Sequence, residues 1–214
     1  MKTRSKALLL TLCAVVLVVA TVFGTMAYLT STDTVTNTFT VGQVAITLDE
    51  AKVDTNGAAV TPAVRVKEND YKLLPGHTYI KDPTVTVKTG SEPSYVKMTV
   101  TFSKANELDA IFAPAGADLT SIFNGYDAAN WIAKGNTKDM TENTRTYEFW
   151  YKEAVGAPTA DVALDALFDS ITVPGTITNE QLATIEGMTI TVNAYAIQAD
   201  GFDDAKAAWD AVAD

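Results

Sequence analysis

Hydrophobic and polar residues alternate with a period of two along much of this chain, a pattern typical of strands with one buried face. In the clearest run, four apolar residues share one face: Val96, Met98, Val100 and Phe102. Lys97, Thr99 and Thr101 lie between them and form the opposite face. Shorter runs follow the same rule and predict further strands at residues 44–48, 84–87, 147–151 and 188–194.

Turn-forming pairs separate these runs, and Asn56-Gly57 predicts the tip of a hairpin. Helical spacing is confined to three short stretches, residues 105–112, 178–185 and 202–212. Many short strands with little helix are typical of β-sandwiches. We therefore predict an all-β fold, a single antiparallel β-sandwich with short peripheral helices, preceded by an N-terminal signal helix.

The N-terminus has the layout of an export signal. Three basic residues precede an uncharged run over residues 7–23, and small residues at Thr25 and Ala27 then suit a signal peptidase. We predict cleavage between Ala27 and Tyr28, so that residues 1–27 are a signal peptide and residues 28–214 form the β-sandwich domain. The alternative is an uncleaved membrane anchor, because about 20 apolar residues can span a bilayer. Both alternatives place the domain outside the cytoplasm.

Charge and cysteine content limit the kinds of partner and of stabilisation that can be expected. The chain has 16 basic and 26 acidic residues, a net charge of −10, and cleavage would also remove Lys2, Arg4 and Lys6. Such an acidic surface does not suit nucleic acid, so we expect none as a partner, and membrane contact only through the signal segment. The single cysteine, Cys13, lies in the signal, so the exported domain must be stabilised by its core rather than by disulfides.

Three blocks together resemble the TasA/camelysin family of Gram-positive bacteria. The first is the signal with the start of the exported chain, residues 24–33 and 37–42. The second is Leu73–Val85, similar to the family's L-x-P-G-x-x-x-x-K-D segment. The third is residues 190–199, with Gly201-Phe202 and residues 207–209. The resemblance implies a jelly-roll type of sandwich, export through a SipW-type signal peptidase, and, as in the best-known members, extracellular fibres of a biofilm matrix. Residues 106–187 match no motif of the family.

In such fibres the N-terminal strand of one subunit is thought to complete the sheet of the next. The residues support this hypothesis, because cleavage at Ala27–Tyr28 would free a segment rich in Thr and Val that suits an exposed sheet edge. The alternative is that residues 34–48 fold back as the first strand of their own sheet. The predicted donor strand consists of Thr34, Val35, Thr36, Asn37, Thr38, Phe39, Thr40 and Val41.

Catalytic patterns are weak in this sequence. Some camelysin-type relatives are described as metallopeptidases, but a zinc site needs about three protein ligands, and His77 is the single histidine. His77 follows Pro75-Gly76 and is predicted to be a solvent-facing turn residue. No serine lies in a Gly-x-Ser-x-Gly context. We predict no enzyme activity, no catalytic residues, no cofactor and no metal site.

Two other features leave alternatives open. Calcium could bind acidic loop residues, although a solvated acidic surface is favoured; the candidates are Asp33, Asp49, Asp82, Asp200, Asp203 and Asp204. Trp150 lies on the second face of an aromatic strand, where we favour core or subunit contact over a sugar-binding surface.

Overall we predict an exported structural protein of the cell surface or extracellular matrix, a fibre-forming or accessory subunit that self-associates by strand exchange. The alternatives are an anchored or secreted monomeric binding module and, less favoured, a metallopeptidase.

Overall fold

A computed structural model describes residue 6 and residues 11–17, 42–112 and 123–212. The chain divides into two units at Val41–Gly42. In the first unit, residues 11–17 are helical and exposed. None of the helices in the described ranges is long and apolar enough to cross a membrane. The predicted cleavage site, Ala27–Tyr28, and the predicted donor strand, Thr34–Val41, lie outside the described residues, as does Asp33.

The second unit is built mainly of strands. In chain order they are β1 Ile46–Ala51, β2 Arg65–Val66, β3 Thr78–Ile80, β4 Thr84–Val87, β5 Ser94–Ser103, β6 Phe123–Asn124, β7 Trp131–Asp139, β8 Thr144–Tyr151, β9 Val162–Ala163, β10 Ser170–Thr172 and β11 Ile190–Gln198. Three short helices complete it: α1 Ala105–Phe112, α2 Asn179–Thr184 and α3 Ala205–Asp210. The predicted all-β character and the three helical stretches are confirmed.

The strands form three antiparallel sheets, with the orders β2-β1-β4-β9, β3-β10-β6 and β11-β5-β8-β7. β5 is the longest strand and pairs along its length with β11 on one side and β8 on the other. Its buried and half-buried residues alternate without a break, as the sequence pattern predicted. Because β5 is hydrogen-bonded to a neighbour on each side, it is a central strand, and the outer strands of this sheet are β11 and β7.

All three sheets contribute side chains to one hydrophobic core. Buried residues come from β4 in the first sheet (Val85), from β3 and β10 in the second (Tyr79, Ile171), and from β5 and β8 in the third (Phe102, Phe149). Phe123 and Phe168 stack with ring centroids 4.1 Å apart, and Trp131 is 1% exposed. This core lies within the second unit and stabilises the domain without a disulfide.

The predicted hairpin tip at Asn56-Gly57 is confirmed as a tight turn. Val53 and Ala59 form an antiparallel bridge, and Gly57 has φ of +81°, a conformation that favours glycine. A Cβ added at Gly57 would lie 2.6 Å from the Tyr79 Cα, so both the backbone conformation and the space require glycine here. The turn thus packs directly against a core residue.

β7 was not predicted, because its residues do not alternate. Trp131 is buried, but the next six residues are all exposed, so no apolar face marks the strand. β7 is nevertheless paired along its length with β8, with a bulge at Ala133/Gly135. Asp109 of α1 accepts hydrogen bonds from Lys138 of β7 at 2.8 Å and from Arg145 of β8 at 2.5 Å. Burial alone would raise the pKa of Asp109, but these two cations hold it below its ordinary value.

Candidate functional site: a groove between two open strand edges

β11 has one open edge. The Ser103 N–H donates to the Thr189 carbonyl at 3.0 Å and the Ala199 N–H donates to the Pro93 carbonyl at 2.7 Å, so the odd-numbered residues of this strand direct their backbone groups at β5. The even-numbered residues then direct theirs away from β5, because the two sets alternate in an antiparallel ladder. No described strand pairs with that second edge.

β1 has a partly open edge as well. The Lys88 N–H donates to the Ala45 carbonyl at 2.9 Å, so the even-numbered residues of β1 direct their backbone groups away from β4. The short strand β2 covers Glu50 and Ala51 on that side. Among the described strands, none pairs with the backbone groups of Ile46 and Leu48 on this edge.

A cavity of about 1290 Å³ is lined by both open edges, and we call it the β1–β11 groove. Its walls include Ile46 and Leu48 from β1 and Ile190 and Val192 from β11, all half-buried. Ile171 of β10 also lines it. The groove exceeds the roughly 300–1,000 Å³ of small-molecule sites. Two unpaired edges with apolar side chains between them suit an added strand.

One end of the groove is polar. Lys81 Nζ lies 2.6 Å from Glu50 Oε2, and each of these side chains is only 8% exposed. Asn69 Nδ2 donates to the other Glu50 oxygen at 2.9 Å and to the Ala51 carbonyl at 2.9 Å. The Glu50 carboxylate is therefore bonded at both oxygens. The Lys81 ammonium has three N–H donors and uses one of them on Glu50.

Two tyrosines hold the loop that borders this end. Tyr79 OH donates to the Lys72 carbonyl at 2.6 Å and accepts from the Leu74 N–H at 2.7 Å, while Tyr71 OH donates to the Ile80 carbonyl at 3.1 Å. The two rings pack edge to face with centroids 5.7 Å apart. Burial, together with the negative charge of Glu50, raises the pKa of Tyr71 above its ordinary value, so its hydroxyl stays a neutral donor at neutral pH.

Two of the calcium candidates, Asp49 and Asp82, do come together, but around an arginine. Arg65 Nε bonds Asp49 Oδ1 at 2.6 Å, and Nη1 bonds Asp82 Oδ2 at 2.6 Å. Nη2 donates to the carbonyls of Asp49 and Asp82 at 3.0 and 3.1 Å. The guanidinium thus takes four oxygens of the kinds that calcium prefers, and it fastens β2 to β1 at the end of the groove.

The other predicted positions lie elsewhere. Asp204 caps α3 by accepting from the Ala207 N–H at 2.8 Å, while Asp200 and Asp203 are exposed. His77 is exposed and follows the turn at Pro75-Gly76, as predicted. Within the described ranges, no three His, Cys, Asp or Glu side chains are placed to share a metal ion.

Trp150 is half-buried on the outer face of its sheet and is covered within the chain. The Trp209 ring of α3 lies 6.5 Å away, between centroids, and Lys134 Nζ lies 4.1 Å from the centre of the Trp150 ring. Its Nε1 donates to Glu148. Trp150 therefore packs between α3 and the outer face of the sheet. This is a contact within the chain, similar to the core contact that was predicted.

The sequence did not predict the β1–β11 groove, the part of the site that would receive an added strand. The individual strands were predicted, but the groove depends on β1 and β11 being neighbours with open edges, and periodicity carries no information about strand order. A signal was present in β11, which contains no charged residue from Ile190 to Gln198.

Comparisons with family models, curated proteins and solved structures gave no match for this chain.

Proposed function

We propose that this protein is an exported structural subunit that assembles by donating residues 28–41 of one copy to the β1–β11 groove of the next. The observation that carries the proposal is the groove itself, an apolar cavity bordered by two strand edges whose backbone groups lack strand partners. An extended segment can add to an open strand edge by backbone hydrogen bonds, which a folded partner without a free strand does not offer. The proposal includes a single jelly-roll type of sandwich, of the TasA/camelysin kind, located in the extracellular matrix or at the surface of a Gram-positive cell.

The two outer edges of the third sheet differ in a way that favours assembly at one of them. β7 carries Lys134, Lys138 and Asp139 and has a bulge, which are common protections against unwanted strand pairing. β11 has neither a charge nor a bulge. We therefore expect strand addition at the open edge of β11 and not at the edge of β7.

Continuity of β1 favours an occupant from a second copy. The Glu92 N–H donates to the Gln43 carbonyl at 2.9 Å. At Gln43 the chain therefore already lies beside the residues that follow β4. A segment that paired with the open edge of its own β1 would have to reverse direction before Gln43. That reversal would use Thr40 and Val41, which belong to the predicted donor strand. Donation to another copy keeps all of its residues available.

A pair of identical substitutions tests the direction of assembly. Ile190→Lys places a charge in the groove, and we expect it to prevent fibre formation, because inward-pointing charges block strand addition. Ile132→Lys places the same charge on β7, where Ile132 is already 42% exposed, and we expect fibres to form normally. The measurement is negative-stain microscopy of the exported protein, with circular dichroism to verify folding of each variant. Fibres from folded Ile190→Lys protein would contradict the proposal.

The same microscopy distinguishes the alternative function. If the unmodified exported protein stays monomeric under all assembly conditions, a monomeric binding module becomes the better account.

A further inference from the structure

Three side chains that can react with one another meet at the polar end of the groove. Lys81 carries an amine and Asn69 a carboxamide, and the Glu50 carboxylate is bonded to both. The contacts are 2.6 Å to Lys81 Nζ and 2.9 Å to Asn69 Nδ2. Lys81 and Glu50 are each 6% exposed, and Asn69 is half-buried. One carboxylate thus holds a nucleophile and an acyl group side by side, away from bulk water.

The carboxamide of Asn69 is held on both its oxygen and its nitrogen. Its Oδ1 accepts from the Val53 N–H at 3.0 Å, and its Nδ2 donates to the Ala51 carbonyl at 2.9 Å as well as to Glu50. A backbone N–H directed at a carbonyl oxygen stabilises the negative charge that develops there when a nucleophile attacks the carbon. The amide is therefore presented with its carbonyl polarised and its nitrogen beside an acid–base group.

We propose that Lys81 and Asn69 form an amide bond between their side chains, with Glu50 as the catalytic acid and base. All three residues belong to one folded chain, so the bond forms with or without assembly. It closes residues 69–81 into a covalent ring, in a chain whose single cysteine allows no internal disulfide. Closing a loop covalently stabilises a fold mainly by restricting the unfolded chain.

The first half of the reaction makes the new bond. Glu50 Oε2 takes a proton from the Lys81 ammonium along their 2.6 Å contact, and the neutral amine attacks the Asn69 Cγ. A bond forms between Lys81 Nζ and Asn69 Cγ while the carbonyl electron pair moves onto Oδ1. The Val53 N–H already donates to that oxygen.

The second half releases ammonia. Glu50 gives its proton to Asn69 Nδ2, which it contacts through Oε1, and it takes a second proton from Lys81 Nζ. The Cγ–Nδ2 bond breaks as the carbonyl re-forms, and ammonia leaves. The second proton follows it as ammonium, so Glu50 returns to its carboxylate form and no further reagent is consumed.

The Lys81–Glu50 ion pair is the unreacted state of this site. Its contribution to the free energy of unfolding is therefore measured on chains that have not yet lost ammonia.

Intact mass spectrometry of the exported protein, repeated over time after folding, measures the reaction. We expect each chain to become lighter by one molecule of ammonia. Lys81→Arg keeps a cation beside Glu50 but removes the amine, so its mass should not change. Glu50→Gln removes the acid–base group and should slow the loss by about a hundredfold or more. Lys88→Met alters an exposed lysine and is the control, and it should lose ammonia as the unmodified protein does.

Trypsin digestion locates the bond. Trypsin does not cleave after an acylated lysine, so residues 68–72 should appear joined to residues 73–88 in one branched peptide. Without the bond, residues 68–72 and 73–81 appear as two separate peptides.

Two results would overturn the inference. The first is an unchanged mass of the unmodified protein after prolonged incubation, with the two peptides separate. The second is a loss of ammonia that persists in folded Lys81→Arg protein, because it would come from cyclisation of another asparagine. Circular dichroism verifies the folding of each variant. The branched peptide is sought in the unmodified protein, so the result is decisive even where a variant fails to fold.

Discussion

Removal of Tyr28–Val41 is expected to abolish fibre formation completely while leaving a folded, monomeric domain. The core residues that the structure describes all follow Val41, so the truncated chain retains them. What it loses is the segment that would occupy the β1–β11 groove of the next copy. Size-exclusion chromatography and negative-stain microscopy of the truncated and complete exported proteins measure the difference. Unchanged fibres from the truncated chain would contradict strand donation by this segment.

A synthetic peptide of residues 28–42 provides the matched control. It should bind the truncated domain at one peptide per domain and raise its thermal stability, because a ligand that binds the folded state stabilises it. No fibres should form, since the bound peptide carries no second domain. Binding of a peptide in which Val35, Phe39 and Val41 are replaced by Ser should be much weaker, because those side chains would fill the groove.

The second large effect is expected from breaking the buried ion pair. Lys81→Met leaves the Glu50 carboxylate without its cation in a site that is 8% exposed, and we expect a loss of about 3–5 kcal/mol in the free energy of unfolding. The double variant Glu50→Gln/Lys81→Met should recover most of this loss, since it removes both charges. Urea unfolding followed by tryptophan fluorescence measures each free energy.

A second lysine supplies the control for that substitution. Lys88 pairs with Asp161 at the surface, where both side chains are about 40% exposed. Solvent screens exposed pairs, so Lys88→Met should lower the free energy of unfolding far less than Lys81→Met does. Equal effects of Lys81→Met and Lys88→Met would show that burial does not set the energy of the Lys81–Glu50 pair.

The strands and helices with regular patterns were predictable from the sequence. The alternation over Val96–Phe102 predicted β5 with its buried face. The first turn of α2 has a capping box, in which the side chains of Thr178 and Gln181 each accept a hydrogen bond from the other's backbone N–H. β7 escaped prediction because it is exposed on both sides after Trp131 and is held by pairing with β8. The two-residue and three-residue strands are too short for any period to be visible.

For the proposed assembly, the sequence alone yields a prediction of the donor segment and none of the groove. The alternation over Thr34–Val41 is a local property, and it can be read without knowing the fold. The acceptor depends on contacts between residues far apart in the chain: Glu50 with Lys81, and the open edges of β1 and β11. Arg65 illustrates the same limit, since Asp49 and Asp82 were interpreted as separate candidates for calcium although one guanidinium binds both.

Strand donation into the groove of another copy can be detected by cross-linking. In a Cys13→Ser background, one protein carries Phe39→Cys and a second carries Ile46→Cys, so that only contact between different copies can join the two positions. A donated segment that lies in the groove would bring Phe39 close to Ile46, which lines the groove, and a disulfide can form where the Cα atoms come within about 7 Å. We predict that mild oxidation of the mixture yields a disulfide-linked dimer, and that Ile132→Cys in place of Ile46→Cys yields none. A link that forms within a single chain carrying both cysteines, but never in the mixture, would contradict the account.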